Sequence, residues 1–204
     1  MHNPILAKRI AAVCLAAALA AGATTAASAV GLTADASGVT YTSSRSGENA
    51  VLVSGKTVTL TGVTVEKTGD SNSSEADFNG TNAAVLAENG AALTISGSKI
   101  TSSALHADGV FSYGSGITVN ISDSIITTSG NNSGGLTTGG AVLNSDGLTV
   151  STSENSSAAT LSDRGGANVT GGTYFTTGVG FPAIYSTADI DASGAILRFF
   201  LVST

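Results

Sequence analysis

Six side chains in the repeated part of this chain are of types that could act on a substrate: His106, Asp108, Asp123, Asp146, Asp163 and Arg164. Glycan hydrolysis needs two carboxylates at a fixed separation, and calcium-assisted elimination needs clustered acidic ligands with a base beside them. Asp108, Asp123 and Asp163 fall at different positions of the repeat described below, so they are not expected to converge. Asp146 is one position from Asp123 and could approach it, but acidic residues in turns commonly serve to form the turn. Asp163-Arg164-Gly165-Gly166 reads as a turn carrying a solvated ion pair, worth about 0–1 kcal/mol. His106 has no Cys, second His or Glu at ligand spacing, and the one other histidine is His2. No metal site, cofactor or catalytic residue is therefore expected, and neither a G-x-S-x-G elbow nor a P-loop is present.

Hydroxyls offer a second kind of chemistry. Thr101-Ser102, Thr127-Thr128, Ser151-Thr152 and Thr176-Thr177 recur in step and would form two adjacent ladders, interrupted at Glu66-Lys67. Threonine ladders can order water, and ladders beside aromatic rings can bind sugars, although Thr also favours strands and stacks well on itself. Phe111 and Tyr185 share one position of the repeat. The candidate binding residues are Thr127, Thr128, Thr152 and Tyr185.

These positions are defined by a repeat of two short segments. The first runs Val58–Val65, Leu93–Ile100, Val119–Ile126, Leu143–Val150 and Asn168–Phe175. The second is a triplet, Ala50-Val51-Leu52, Ala84-Val85-Leu86, Gly109-Val110-Phe111, Gly135-Leu136-Thr137, Ala159-Thr160-Leu161 and Ala183-Ile184-Tyr185. Its middle residues are spaced by 34, 25, 26, 24 and 24 residues. Apolar residues alternate with Thr, Ser or Asn, the period of a strand with one buried face. Val65, Ile100, Ile126, Val150 and Phe175 align as one inward column. Three residues earlier stand Gly62, Gly97, Asp123, Gly147 and Gly172, types that tolerate a left-handed corner. Two before those come Leu60, Ile95, Ile121, Ser145 and Thr170.

About 25 residues per copy is one circuit of an all-β parallel solenoid with three short strands. No copy can bury its apolar side chains without its neighbours. Five to six circuits are expected, stacked at ~4.8 Å into a rod of roughly 25–30 Å. The long first interval holds Gly69–Thr81, a polar and acidic insertion expected to be a flexible, solvated loop, with Phe78 its one apolar exception.

Four segments follow along the chain. Residues 1–29 have the charged start, apolar run and Ala27-Ser28-Ala29 cleavage site of a secretory signal peptide. Residues 30–48 are expected to cap the first circuit, 49–196 to form the repeats, and 197–204 to be a divergent hydrophobic tail, either a truncation or a genuine cap. Beyond the signal, six basic residues stand against fourteen acidic ones, a formal charge of −8, with no cysteine, since Cys14 lies in the apolar run. Scattered bases on an acidic chain exclude nucleic acid as a partner. No second apolar stretch approaches the ~20 residues of a membrane span.

Repeats such as Leu93–Ser103, Val119–Ser133 and Thr170–Ser186 resemble those of right-handed parallel β-helix proteins of bacterial surfaces, the adhesin-like and autotransporter-passenger-like group of the pectin-lyase-like superfamily. The resemblance covers residues 49–196 and implies right-handedness. The signal peptide, the acidic cysteine-free repeats and the unclustered carboxylates point to an exported, non-enzymatic, adhesin-like protein, secreted or at the cell surface, whose rod meets a glycan or protein partner. The alternatives are a polysaccharide lyase or hydrolase and a purely structural spacer, because such repeats encode stacking rather than a site.

Overall fold

The computed structural model describes residues 26–28 and 31–199, and these form an all-β parallel solenoid of about seven turns of ~24 residues. Each full circuit contributes one strand to each of three sheets, and every strand pairs in parallel with its counterparts before and after it. The first sheet stacks Val51–Ser54, Val85–Glu88, Val110–Tyr113, Leu136–Gly139, Thr160–Asp163 and Ile184–Ser186. The second stacks Ala36–Ser37, Thr57–Thr61, Ala92–Ser96, Thr118–Ser122, Val142–Asp146, Gly166–Thr170 and Asp189–Ser193. The third stacks Ala26–Ser28, Thr40–Ser43, Thr64–Lys67, Lys99–Ser102, Ile125–Thr128, Thr149–Thr152, Thr173–Thr176 and Ile196–Phe199.

The two-residue corner between the second and third sheets shows why the repeat needs its small residues. Gly62, Gly97, Asp123, Gly147, Gly171 and Gly194 occupy it with φ of 60, 56, 49, 64, 59 and 64°, the left-handed region in which a Cβ costs most and Gly or Asp least. Sheet-long stacking then aligns the apolar side chains of successive circuits. Tyr41, Val65, Ile100, Ile126, Val150 and Tyr174 form one inward column of the third sheet, none more than 6% exposed. Leu60, Ile95, Ile121, Ser145 and Val169 form a facing column of the second.

The circuit that contains Gly166–Thr170 and Thr173–Thr176 departs from the expected alignment by one residue. Val150 pairs with Tyr174, and Phe175 pairs with Ser151, in the outward column. Val169, not Thr170, continues the column of Leu60. Adjacent Gly171 and Gly172 both have positive φ, so either could be matched to the corner, and a one-residue slip exchanges inside for outside. Tyr174 is accommodated because Ser145, the polar member of an apolar column, lies 2.9 Å from its hydroxyl and satisfies it. Burial pushes the Tyr174 phenol above its ordinary value.

Three further segments take definite places in the fold. The segment read as a cap continues the second and third sheets in register, Ala36 beside Leu60 and Tyr41 beside Val65. The hydrophobic tail begins as an eighth strand of the third sheet, with Leu197 in the Tyr174 column; residues 200–204 lie outside the described residues. The insertion contains a helix, Ser74–Asn79, whose N-cap Ser73 side chain accepts from the Ala76 amide and whose C-cap Gly80 is left-handed. Buried Asn82 ties the two ends of the insertion together and to the preceding circuit: its amide donates to the Gly69 carbonyl, at 3.0 Å, and its oxygen accepts from the Gly47 amide, at 2.9 Å. Phe78 is exposed on that helix. Of the expected signal peptide only Ala26–Ser28 is described, as a strand beside Thr40–Thr42; the rest lies outside the described residues.

Candidate functional site

The hydroxyl ladder on the third sheet is single, not double. Thr127 faces outward and is exposed, in the column Glu66, Thr101, Thr127, Ser151, Phe175 and Arg198. Thr128 and Thr152 face inward, 1% and 0% exposed. Consecutive residues of a strand point to opposite faces, so adjacent hydroxyls cannot both reach solvent. The inward hydroxyls have a structural task. Thr128 donates to the Ser133 carbonyl and Thr152 to the Ser157 carbonyl, each at 2.6 Å, and Ser43 donates to the Glu48 carbonyl at 3.1 Å. Each closes the corner that follows its strand. Where the corner is enlarged by the insertion, Lys67 holds the same column, buried, and its Nζ donates 2.5 Å to the Arg45 carbonyl; desolvation holds its pKa below the ordinary lysine value. Thr128→Val is isosteric but leaves the Ser133 carbonyl without that donor. It is expected to lower stability by about 1–3 kcal/mol in chemical denaturation and to leave ligand retention unchanged.

The aromatic column on the first sheet is also discontinuous. Phe111 is buried against Leu86 and Ala83, with Gly80 of the insertion so close that a Cβ there would lie 2.5 Å from the ring. Tyr185 is 38% exposed and its ring stands 4.8 Å from that of Phe181. The turn carboxylates remain apart in role. Asp123 is a left-handed corner residue, its amide bonded to the Asp146 carbonyl. Asp163 pairs with Arg164 at 2.8 Å in solvent and accepts from the Thr187 hydroxyl.

His106 does have a partner, against expectation. The insertion returns Asp77 to it, Nδ1 to Oδ1 at 2.6 Å, across 29 residues of sequence. Asn132 lies 3.5 Å from the same nitrogen, and the Asp70 carboxylate accepts from the Leu105 amide. Close by, Asp108 is buried and accepts from the Gly134 amide at 2.5 Å. Desolvation pushes its carboxyl up to about 7; the Thr137 hydroxyl and the Gly134 amide oppose the shift, and the Asp77 charge adds to it. No composition or short motif could have found this cluster, because its members come from an insertion and two successive circuits. Among the described residues no group of three or more His, Cys, Asp or Glu is placed to hold a metal ion.

The outer face of the second sheet carries the most regular polar surface. Thr59, Thr94, Asn120, Asn144, Asn168 and Asp191 stack in one outward column. Asn144 donates its amide to Asn120 at 2.8 Å, and Asn168 donates to Asn144 at 2.7 Å. A primary amide has two donor hydrogens and an oxygen able to accept twice, so each rung keeps hydrogen-bonding capacity facing solvent. Beside the ladder runs the column Ser122, Asp146 and Thr170, and together they line an open groove of about 330 Å³. The signal was in the sequence: the three asparagines recur at the repeat's own interval of 24 residues. Compared with protein-family models, curated proteins and solved structures, the chain matches none.

Proposed function

We propose that this chain is an exported, adhesin-like solenoid of the right-handed, pectin-lyase-like kind, without enzymatic activity, whose rod holds a glycan against the outer face of its second sheet. The observation that carries this reading is the hydrogen-bonded ladder Asn120, Asn144 and Asn168 over an open groove. It offers evenly spaced donors and acceptors, the form of contact that a polymer of hydroxyl-bearing units can satisfy repeatedly. The signal-like N-terminus and the acidic repeats support export to a surface or the medium. On a glycan array the purified mature chain is expected to show weak, saturable retention, and a purely structural spacer would show none.

One observation favours an enzyme as the second reading: the Asp77–His106 pair beside a carboxyl that titrates near 7, a combination suited to proton transfer. Incubation with plant and microbial polysaccharides, with and without calcium, is expected to release neither reducing nor unsaturated ends. Turnover that disappears in His106→Asn would replace the proposed function with the second reading.

A further inference from the structure

The charges on the second sheet bear on which glycans it would accept. Its strands contain no lysine or arginine, whereas the neighbouring third sheet carries Lys67, Lys99 and Arg198. Asp146 is the one charged residue lining the groove, and Asp189 and Asp191 follow on the same face two circuits on. A polyuronate or sulfated chain laid here would meet carboxylates with no cation in the groove to offset them, on a protein of net negative charge. Hydroxyls and amides, by contrast, find a partner at every circuit.

The spacing adds a second constraint. Rungs of a parallel stack repeat every ~4.8 Å, close to the advance per sugar of a pyranose chain in its extended, ribbon-like form. A chain lying along the solenoid axis can therefore meet Thr94, Asn120, Asn144 and Asn168 in turn, one sugar to a circuit. Building on the proposed glycan-binding function, we infer that this face takes a neutral glycan in extended form, aligned with the rod and read by four successive rungs. The specificity comes from open amide and hydroxyl groups together with repulsion of anionic chains. Affinity comes from repetition rather than from a deep pocket.

The test uses the mature chain and neutral β-1,4-linked gluco-oligosaccharides of graded length, with oligogalacturonates and oligoglucosamines of equal length beside them, followed by calorimetry. Affinity for the neutral series is expected to rise with length until four rungs are spanned and then to level off. Asn144→Thr keeps a residue type that the column already holds at Thr59 and Thr94, and it is expected to weaken binding roughly tenfold, the equivalent of about 1.4 kcal/mol. Thr149→Ala, at an exposed position of the third sheet, is expected to change nothing. Tighter binding of either charged series, lost in Asn144→Thr, would leave the glycan-binding function standing and overturn the neutral specificity. Binding that depends on Thr127 and not on Asn144 would overturn the site, and no binding by any series would overturn site and function together.

Discussion

Replacing Ile126 by Asp is expected to remove most of the stability of the fold, whereas the same change at Thr127 is expected to cost no more than about 0.5 kcal/mol. Ile126 is fully buried in the third sheet between Ile100 and Val150, and Thr127, the next residue, is exposed between Thr101 and Ser151. A carboxylate at 126 would have apolar neighbours above and below and no cation beside it. An uncompensated buried charge costs roughly 3–5 kcal/mol, against a total of about 5–15 kcal/mol for an ordinary domain. Because each circuit is buried by its neighbours, the loss would spread along the rod. Urea denaturation of the two variants measures the contrast as a large fall in midpoint for one and almost none for the other. Equal sensitivity at 126 and 127 would refute the register of the third sheet.

The register was legible in the sequence wherever a corner offered one candidate residue. Gly62, Gly97, Asp123 and Gly147 each stand singly at the corner, and the columns they fix, from Val65 to Val150, agree with the strand pairing. Gly171-Gly172 offered two candidates, and both Tyr174 and Phe175 are large enough to fill the core, so local pattern could not decide between them. The arbiter was a contact between circuits, the bond of Tyr174 to Ser145. The hydroxyl column containing Thr128 and Thr152 misled for a related reason. A buried threonine and an exposed one look alike in sequence, and only the corner carbonyls at Ser133 and Ser157 show which is which. Of the four candidate binding residues, the structure leaves Thr127 and Tyr185 at the surface. The asparagine ladder had the right spacing, yet Asn at three of six positions in a column that also holds Thr and Asp gives a weaker pattern than Thr in a Ser/Thr-rich chain. Asp77 and His106 were beyond reach altogether, since the place of the inserted helix is set by the fit of its capping Gly80 against Phe111 and by the bonds of Asn82 rather than by any period.

That insertion lies beside the titration expected to govern the pH dependence of the fold. Asp108 enters the first sheet buried, with its carboxyl pushed from 3.8 up to about 7 chiefly by desolvation. In the unfolded chain the same group titrates at its ordinary value, so between these two values the folded state holds a proton that the unfolded state has lost. Stability must then fall as pH rises through that window, and the loss is complete above the folded value. A shift of this size corresponds to roughly 4 kcal/mol at 1.36 kcal/mol per unit, a large part of the stability of one domain. Asp108→Asn keeps an oxygen that can accept from the Gly134 amide and cannot ionise, so it removes the slope while preserving the contact. Thermal or urea unfolding at pH 5 and pH 8 is expected to show wild type weakening by about 2–3 kcal/mol between them and the variant weakening far less. At pH 8 the variant is expected to be the more stable protein. The difference between the two proteins isolates this carboxyl from every other ionisable group, since all the others are common to both. Parallel pH profiles for the two would mean that Asp108 is ionised in the fold at no cost, and the burial assigned to it would be wrong.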